Sequence, residues 1–412
     1  MTKIWIKKTQ EEIRNRVFKA LQENANFEEH EALGIPASYL DDKVFNQDES
    51  FLSMAPFMSA LSKNPNHIGC HTLGKSEPFF KGTQAIEREL LDICAVDIMK
   101  GEKGEYDGYI ASGGTEANIE AIWIYRNFFR VEYKAQNSDI AIMCSEDSHY
   151  SMDKAANLLS LNIYKLPVNE TTRELSSERV ETVLRKAQAD GKKHFIVVCN
   201  MMTTMFGSVD DIDLLTNSLN KLSCNFKLHV DGAYGGFYYP FSNEASALTF
   251  ENPAISSFTL DAHKMAQAPY GTGIFLVRKN LIHYVNTLEA SYVEGEDFTL
   301  IGSRSGANAI AAWMILTKYG PHGWFEKILI LQNRTNWLCQ ELDKLNIIYF
   351  SSPYSNIVTI NARQIDKEIV SKFGLVPDDH NNPKWYKIVV MEHVEIEKIE
   401  LLVKDLKQQH NK

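Results

Sequence analysis

The chain has 412 residues, 44% of them hydrophobic and 23% charged, with 22 Gly and 12 Pro. That composition excludes a fibrous, collagen-like or disordered protein, and the length predicts two or three structural units. Lys and Arg total 43 against 53 Asp and Glu, a net charge of −10 without charge blocks, which argues against nucleic acid or an anionic membrane as partner.

No apolar stretch approaches the ~20 residues needed to span a bilayer. The beginning, MTKIWIKKTQEEIRN, turns charged and helical instead of entering an apolar run, so no secretory signal is expected. The six cysteines, at 70, 94, 144, 199, 224 and 339, form no CxxC pair, and most sit in apolar segments such as LLDICAVDIM and FIVVCNMM. They read as buried thiols of a reducing compartment. The scattered histidines argue against a zinc site. A cytoplasmic enzyme without metal is the expectation.

In chain order, an amphipathic helix, TQEEIRNRVFKALQENA, precedes irregular acidic sequence, and a second helix is predicted over 51–66, ended by Pro65. The turn-rich NHIGCHTLGKSEPFF follows. From 84 to 310 helices alternate with short apolar runs: TQAIERELLDICAVDIM, a glycine-rich turn opening the helix in ASGGTEANIEAIWIYRNFFR, then DIAIMCS, NIYKLPV, HFIVVCN, FKLHVD, SSFTLD and GIFLVRK. Apolar runs of four to eight residues between helices predict a mostly parallel sheet covered on both faces. After 310 a helical stretch gives way to YFSSPYSNIVTINA, KWYKIVVMEHV and a last amphipathic helix, which predicts a small α+β unit. The expected division is an N-terminal helical segment over 1–70, a large α/β unit over 71–310 and a small C-terminal one over 311–412.

Four segments carry chemistry. In TLDAHKMAQAPYGTGIFLV a lysine, Lys264, stands between two buried strands. It is either a paired charge or hairpin-loop residue, or an amine used for imine formation. Upstream, FKLHVDGAYGGFYYPF ends a strand on Asp231, where open α/β sheets place ligands. Asp231 is a turn former before Gly or a partner for a pyridine nitrogen. The turn Ser112-Gly113-Gly114-Thr115 opens a helix whose free N–H groups and dipole favour a phosphate. Fourth, SEDSHYSMDKAANLL places His149 just after a strand. Together a phosphate cradle, a flat-ring partner, a carboxylate and a lysine describe the surroundings of pyridoxal 5′-phosphate (PLP).

At these segments, and at LIGSRSGANAIAAW and VPDDHNNPKWYKIVVMEHVEIEKIELLVKDL, the chain resembles the group II PLP-dependent amino-acid decarboxylases of type I, aspartate-aminotransferase fold. It is most similar to the archaeal tyrosine/aspartate decarboxylases, with bacterial histidine decarboxylase further off, over roughly residues 65–408. The resemblance implies a carboxy-lyase acting on tyrosine, aspartate, glutamate or histidine. It implies that Lys264 takes the cofactor covalently and Asp231 bonds its ring nitrogen. His149 would stack on one face of the ring and Ala233 pack on the other. Gly114 and Thr115 would bind the phosphate, with His263 assisting. Thr203 and Thr204 match the family's Gly-Thr-Thr segment near the ring oxygen, although Met202 stands where the family has Gly. Ser303 and Arg304 match its Ser/Thr-Arg pair, and Ser303 is expected to reach the neighbouring subunit's phosphate across a homodimer interface.

Loss of CO₂ from an amino acid leaves an electron pair that must be delocalised and then protonated at Cα. The family's mobile-loop tyrosine corresponds to Tyr292 in NTLEASYVEGEDFT. On the substrate side, His71 and Lys75 could draw an acidic side chain, Lys75 is equally an ordinary solvated charge, and Phe79 or Phe80 would suit an aromatic one. The alternatives are an aldehyde-lyase of sphingosine-phosphate-lyase type, an aminotransferase, or a silent homologue serving as a scaffold. Against the second, only Arg363 has suitable surroundings for an aminotransferase's carboxylate-binding arginine.

Overall fold

In the computed structural model of the chain, residues 4–24, 54–62, 79–286 and 296–410 are described. Thr9 caps α1 (Gln10–Glu23) reciprocally with Glu12: the Glu12 N–H donates to the Thr9 hydroxyl and the Thr9 N–H to the Glu12 carboxylate. This satisfies two orphan donors of the first turn. Then come α2 (Pro56–Ser62) and α3 (Lys81–Asp92), which runs on through a π-helical turn, Ile93–Ile98. All three pack against the long helix α9 (Gly306–Lys344) described below.

The large sheet has seven strands, β1 (Tyr106–Ala111), β2 (Ile140–Ser145), β3 (Asn162–Leu166), β4 (His194–Asn200), β5 (Asn225–Gly232), β6 (Ile255–Asp261) and β7 (Gly273–Arg278), in the order β1-β7-β6-β5-β4-β2-β3. Only β7 runs against its neighbours. The strands β2, β4 and β6 are buried along their whole length, as the continuous apolar runs predict for a sheet covered on both sides. The helices α4 (Gly114–Glu132) and α5 (Ser151–Leu159) cover one face. On the other face lie α6 (Ser177–Ala189), α7 (Ile212–Lys221) and the single turn α8 (Tyr239–Ser242), together with α1, α3 and α9.

A 39-residue helix, α9, leads to the second sheet, and it kinks at Gly320 (φ 63°) just before Pro321. The N-terminal segment crosses the kink, with the Lys8 N–H donating to the Thr317 carbonyl (2.7 Å). The small sheet is antiparallel, β10-β11-β9-β8, built from β8 (Tyr349–Ser351), β9 (Ile357–Asn361), β10 (Val376–Pro377) and β11 (Trp385–Val389). With α10 (Lys367–Phe373) and α11 (Ile396–His410) it closes its own core around Leu342, Ile360 and Leu406. No helix among the described residues is long and apolar enough to cross a membrane.

Candidate active site

The parallel strands, and β1 beyond β7, all end at one edge of the large sheet, where Ala111, Ser145, Asn200, Asp231 and Asp261 stand side by side. Crevices at such an edge are where open α/β sheets hold ligands. His149, Asn200, Met202, Thr203, Asp231, Ala233, Tyr234 and Lys264 line one small cavity there, with Thr204 at its rim.

Lys264 sits in the turn after β6, three residues past Asp261, and its Nζ lies 3.6 Å from Asp261 Oδ2. The turn is tied back by the Lys264 N–H to the Asp261 carbonyl (3.1 Å) and the Ala262 N–H to the Thr272 carbonyl (2.9 Å). Asp231, nearly buried at the end of β5, accepts from the Ala233 N–H (3.1 Å) and from Asn118 Nδ2 (2.9 Å). Both of its oxygens are therefore oriented.

Beside them α4 begins at Gly114, whose N–H donates to Asp261 Oδ2 (3.2 Å), and the dipole of its first turn favours an anion. Space here is governed by glycine. A Cβ at Gly114 would lie 3.0 Å from both Ala233 Cβ and Asp261 Oδ2, and one at Gly273 would lie 2.5 Å from the Gly113 carbonyl carbon. His263 closes the cradle, its Nδ1 2.9 Å from Asp261 Oδ1 and its ring edge facing Gly113.

His149 Nδ1 lies 2.9 Å from Ser151 Oγ and accepts from the Ser151 N–H (3.3 Å). Burial holds its pKa below the ordinary histidine value, against the charge of Asp231. Under Asp231 lies His229, fully buried, with Nε2 2.9 Å from Asn118 Oδ1 and Nδ1 2.6 Å from Ser257 Oγ. Burial pushes it down to about 4. Nearby, burial raises the Asp210 carboxyl to about 7, although the Asn200 backbone N–H and side-chain amide both donate to it.

Of the residues expected from sequence, Lys264, Asp231, His149, Ala233, Thr203 and Thr204 meet at the cavity, and Gly114 and His263 border it. Thr115, in the first turn of α4, is half-buried. Thr203 directs its hydroxyl to Ser208 Oγ (2.7 Å) within its own turn. Met202, standing where the family pattern has Gly, takes the left-handed conformation (φ 68°), which favours glycine. Ser303 is exposed and away from the cavity, while Arg304 is buried, donating to Glu87 Oε1 (2.6 Å) and the Ile110 carbonyl (2.8 Å). Tyr292, His71 and Lys75 lie outside the described residues.

Sequence reading missed Asn118, Ser151 and His229, polar residues that look unremarkable in helix and strand patterns. It also missed Lys387 of β11, whose Nζ donates to the Thr204 carbonyl (2.9 Å). Burial and the charge of Lys264 both lower the Lys387 pKa.

A model of the pyridoxal-dependent decarboxylase conserved domain matches residues 44–351, well over half of the chain. The chain belongs to this decarboxylase family. The decarboxylase is 50% identical over 407 residues to a tryptophan decarboxylase of Clostridium sporogenes, spanning 98% of each chain. It is 28% identical over 393 residues to a probable L-tyrosine/L-aspartate decarboxylase of Methanosarcina barkeri, covering 90% of this chain and 96% of that one. Its fold matches the Catharanthus roseus tryptophan decarboxylase solved with L-tryptophan, with a TM-score of 0.71 over 97% and 96% of the two chains, at 15% identity. The decarboxylase is a PLP-dependent carboxy-lyase acting on amino acids. The site suits that cofactor: an amine, Lys264, and a buried carboxylate, Asp231, line one cavity, the start of α4 lies against its Ala233 wall, and a side chain at Gly114 would fill the gap between Ala233 and Asp261.

Proposed function

We propose that this decarboxylase converts L-tryptophan to tryptamine and CO₂. The 50% identity to a tryptophan decarboxylase over 98% of both chains carries the reading. Met202 and Tyr234 in the cavity wall offer a thioether and a ring, which suit an indole better than a second carboxylate.

When bound, PLP supplies an electron sink for the pair left by the departing carboxylate. Lys264 would hold it covalently through its amine. Asp231, held by Asn118 and the Ala233 N–H, keeps the ring nitrogen protonated. His149 and Ala233 confine the ring's two faces. Gly114, Thr115 and His263 hold the phosphate, and the turn of Thr203 and Thr204 shapes the side of the ring oxygen. Lys387 holds the substrate's α-carboxylate, setting the direction of the bond to be broken. Tyr292 protonates Cα, so that Tyr292→Phe raises the share of abortive transamination. His71 and Lys75 belong to the substrate's side. The enzyme works in the cytoplasm as a homodimer in which Ser303, exposed on one protomer, completes the phosphate site of its partner.

CO₂ release and amine formation across the twenty amino acids, with Lys264→Ala as control, test the reading. Tryptophan should be turned over with the highest kcat/KM, and Lys264→Ala should abolish both turnover and the yellow absorbance. Preference for aspartate, glutamate, tyrosine or histidine would overturn the tryptophan assignment.

A further inference from the structure

The amide of Asn118 is buried (1% exposed) in the second turn of α4, and both of its N–H groups and its oxygen have partners. Asp231 is acceptor-only when ionised, so the atom 2.9 Å from its Oδ2 is the amide nitrogen. The second N–H of the same nitrogen points to Ser151 Oγ (2.9 Å). The amide oxygen faces His229 Nε2 (2.9 Å), which must therefore carry a proton. Since Ser151 Oγ receives from Asn118, its own proton is free for His149 Nδ1 (2.9 Å), and the Ser151 N–H donates to that same nitrogen (3.3 Å). Two donors converge on Nδ1, so the neutral imidazole of His149 carries its proton on Nε2. On the far side His229 Nδ1 accepts from Ser257, which in turn accepts from the Tyr125 hydroxyl. Every donor in the row from Tyr125 to His149 points one way.

We propose that Asn118 is a positioning residue that fixes the Asp231 carboxylate and the His149 tautomer together, so that the group for the cofactor's ring nitrogen and the group for one of its faces share one hydrogen-bond origin. This rests on the assignment of Asp231 and His149 to the cofactor made above. Asn is the residue type the task requires, since one amide nitrogen serves both arms and one oxygen anchors to a neutral histidine. An aspartate at 118 could not serve both arms. Ionised, it has no donor; protonated, it has a single one. Ser151 would then turn its hydroxyl toward position 118, and His149 Nδ1 would find an acceptor where it now finds a donor. The charges that face His149 in any such titration are Asp231 on β5, Asp261 and Lys264 at the end of β6, and Lys154 on α5.

The test is nitrogen NMR of the imidazoles in full-length protein, with and without PLP, with the His149 signals assigned through His149→Gln. Wild type should show the Nε2–H tautomer of His149. Asn118→Asp should shift it toward Nδ1–H and raise its pKa by at least one unit. Ser151→Ala, a smaller change that leaves Asp231's partners in place, should loosen the tautomer preference while PLP binds as in wild type. Asn118→Ala should weaken PLP binding at least tenfold and move the pH profile of the bound cofactor's absorbance. If wild type shows Nδ1–H, or if His149 titrates identically in wild type, Asn118→Asp and Ser151→Ala, the inference is wrong. Failure of the wild-type chain to bind PLP at all would instead overturn the cofactor assignment, and the two outcomes are read from different signals.

Discussion

His229 should govern a measurable part of the acid sensitivity of the fold. It is fully buried and neutral, with its pKa at about 4 in the folded chain, against roughly 6.5 when unfolded. Between those two values the unfolded chain holds a proton that the folded chain lacks. Stability therefore rises with pH across that window and is lost as pH falls from about 6.5 toward 4. A gap of about 2.5 units corresponds to about 3 kcal/mol in full, of which about 2 kcal/mol is already lost at pH 5. Asp210, raised by burial to about 7, works in the opposite sense, since its folded state holds the extra proton and stability falls as pH rises from about 4 to 7. Comparing wild type with His229→Gln cancels Asp210 and every other shared group. Urea unfolding of cofactor-free chain, followed by tryptophan fluorescence at pH 7.5 and 5.0, should show a pH-dependent loss about 2 kcal/mol smaller in His229→Gln than in wild type. Equal losses in the two proteins would show that His229 is not held neutral, and the proton directions drawn through Asn118 would fall with it.

Three further outcomes are expected. Met202 holds a left-handed conformation that favours Gly over Ala by roughly 1–2 kcal/mol, so Met202→Gly should be more stable than Met202→Ala, the reverse of the usual order, as read by thermal unfolding. Arg304→Met removes the buried guanidinium that donates to Glu87 Oε1 (2.6 Å) and the Ile110 carbonyl (2.8 Å) and should destabilise by about 3–5 kcal/mol in denaturant titration, with part of the loss regained in the double variant that also carries Glu87→Leu. Lys387→Met should lower kcat/KM about tenfold or more, mainly through KM, while the bound-cofactor absorbance is unchanged, because a charge-assisted hydrogen bond is worth about 1.5–3 kcal/mol.

The large sheet was legible because its strands are continuous apolar runs that alternate with helical patterns. The residues at strand ends were legible too. Asp231 ends one apolar run and Lys264 stands in the turn after another, and position alone puts them on the same edge. The layer beneath was not legible. Asn118, Ser151 and His229 come from α4, α5 and β5, and 111 residues separate His229 from Asn118, so no local pattern announces that they touch. His229 and Asp231 do share a strand face by alternation, but the burial that neutralises His229 comes from the covering helix. Lys387 is hidden for the same reason, as its relation to Thr204 depends on how the small sheet docks. The π-helical turn after α3 has no sequence signal that we can identify, whereas the kink in α9 is spelled out by Gly320-Pro321. His71, Lys75 and Tyr292 lie outside the described residues.

The glycine contact between positions 113 and 273 has a practical corollary. It joins the start of α4 to the strand that follows the lysine turn, so the two halves of the cofactor cradle are sewn together from stretches about 160 residues apart. Neither fragment of a chain nicked between them holds a cradle by itself. Bound vitamin should therefore act as a stitch across the nick, and retention of yellow colour after limited proteolysis would report whether the pieces have stayed associated.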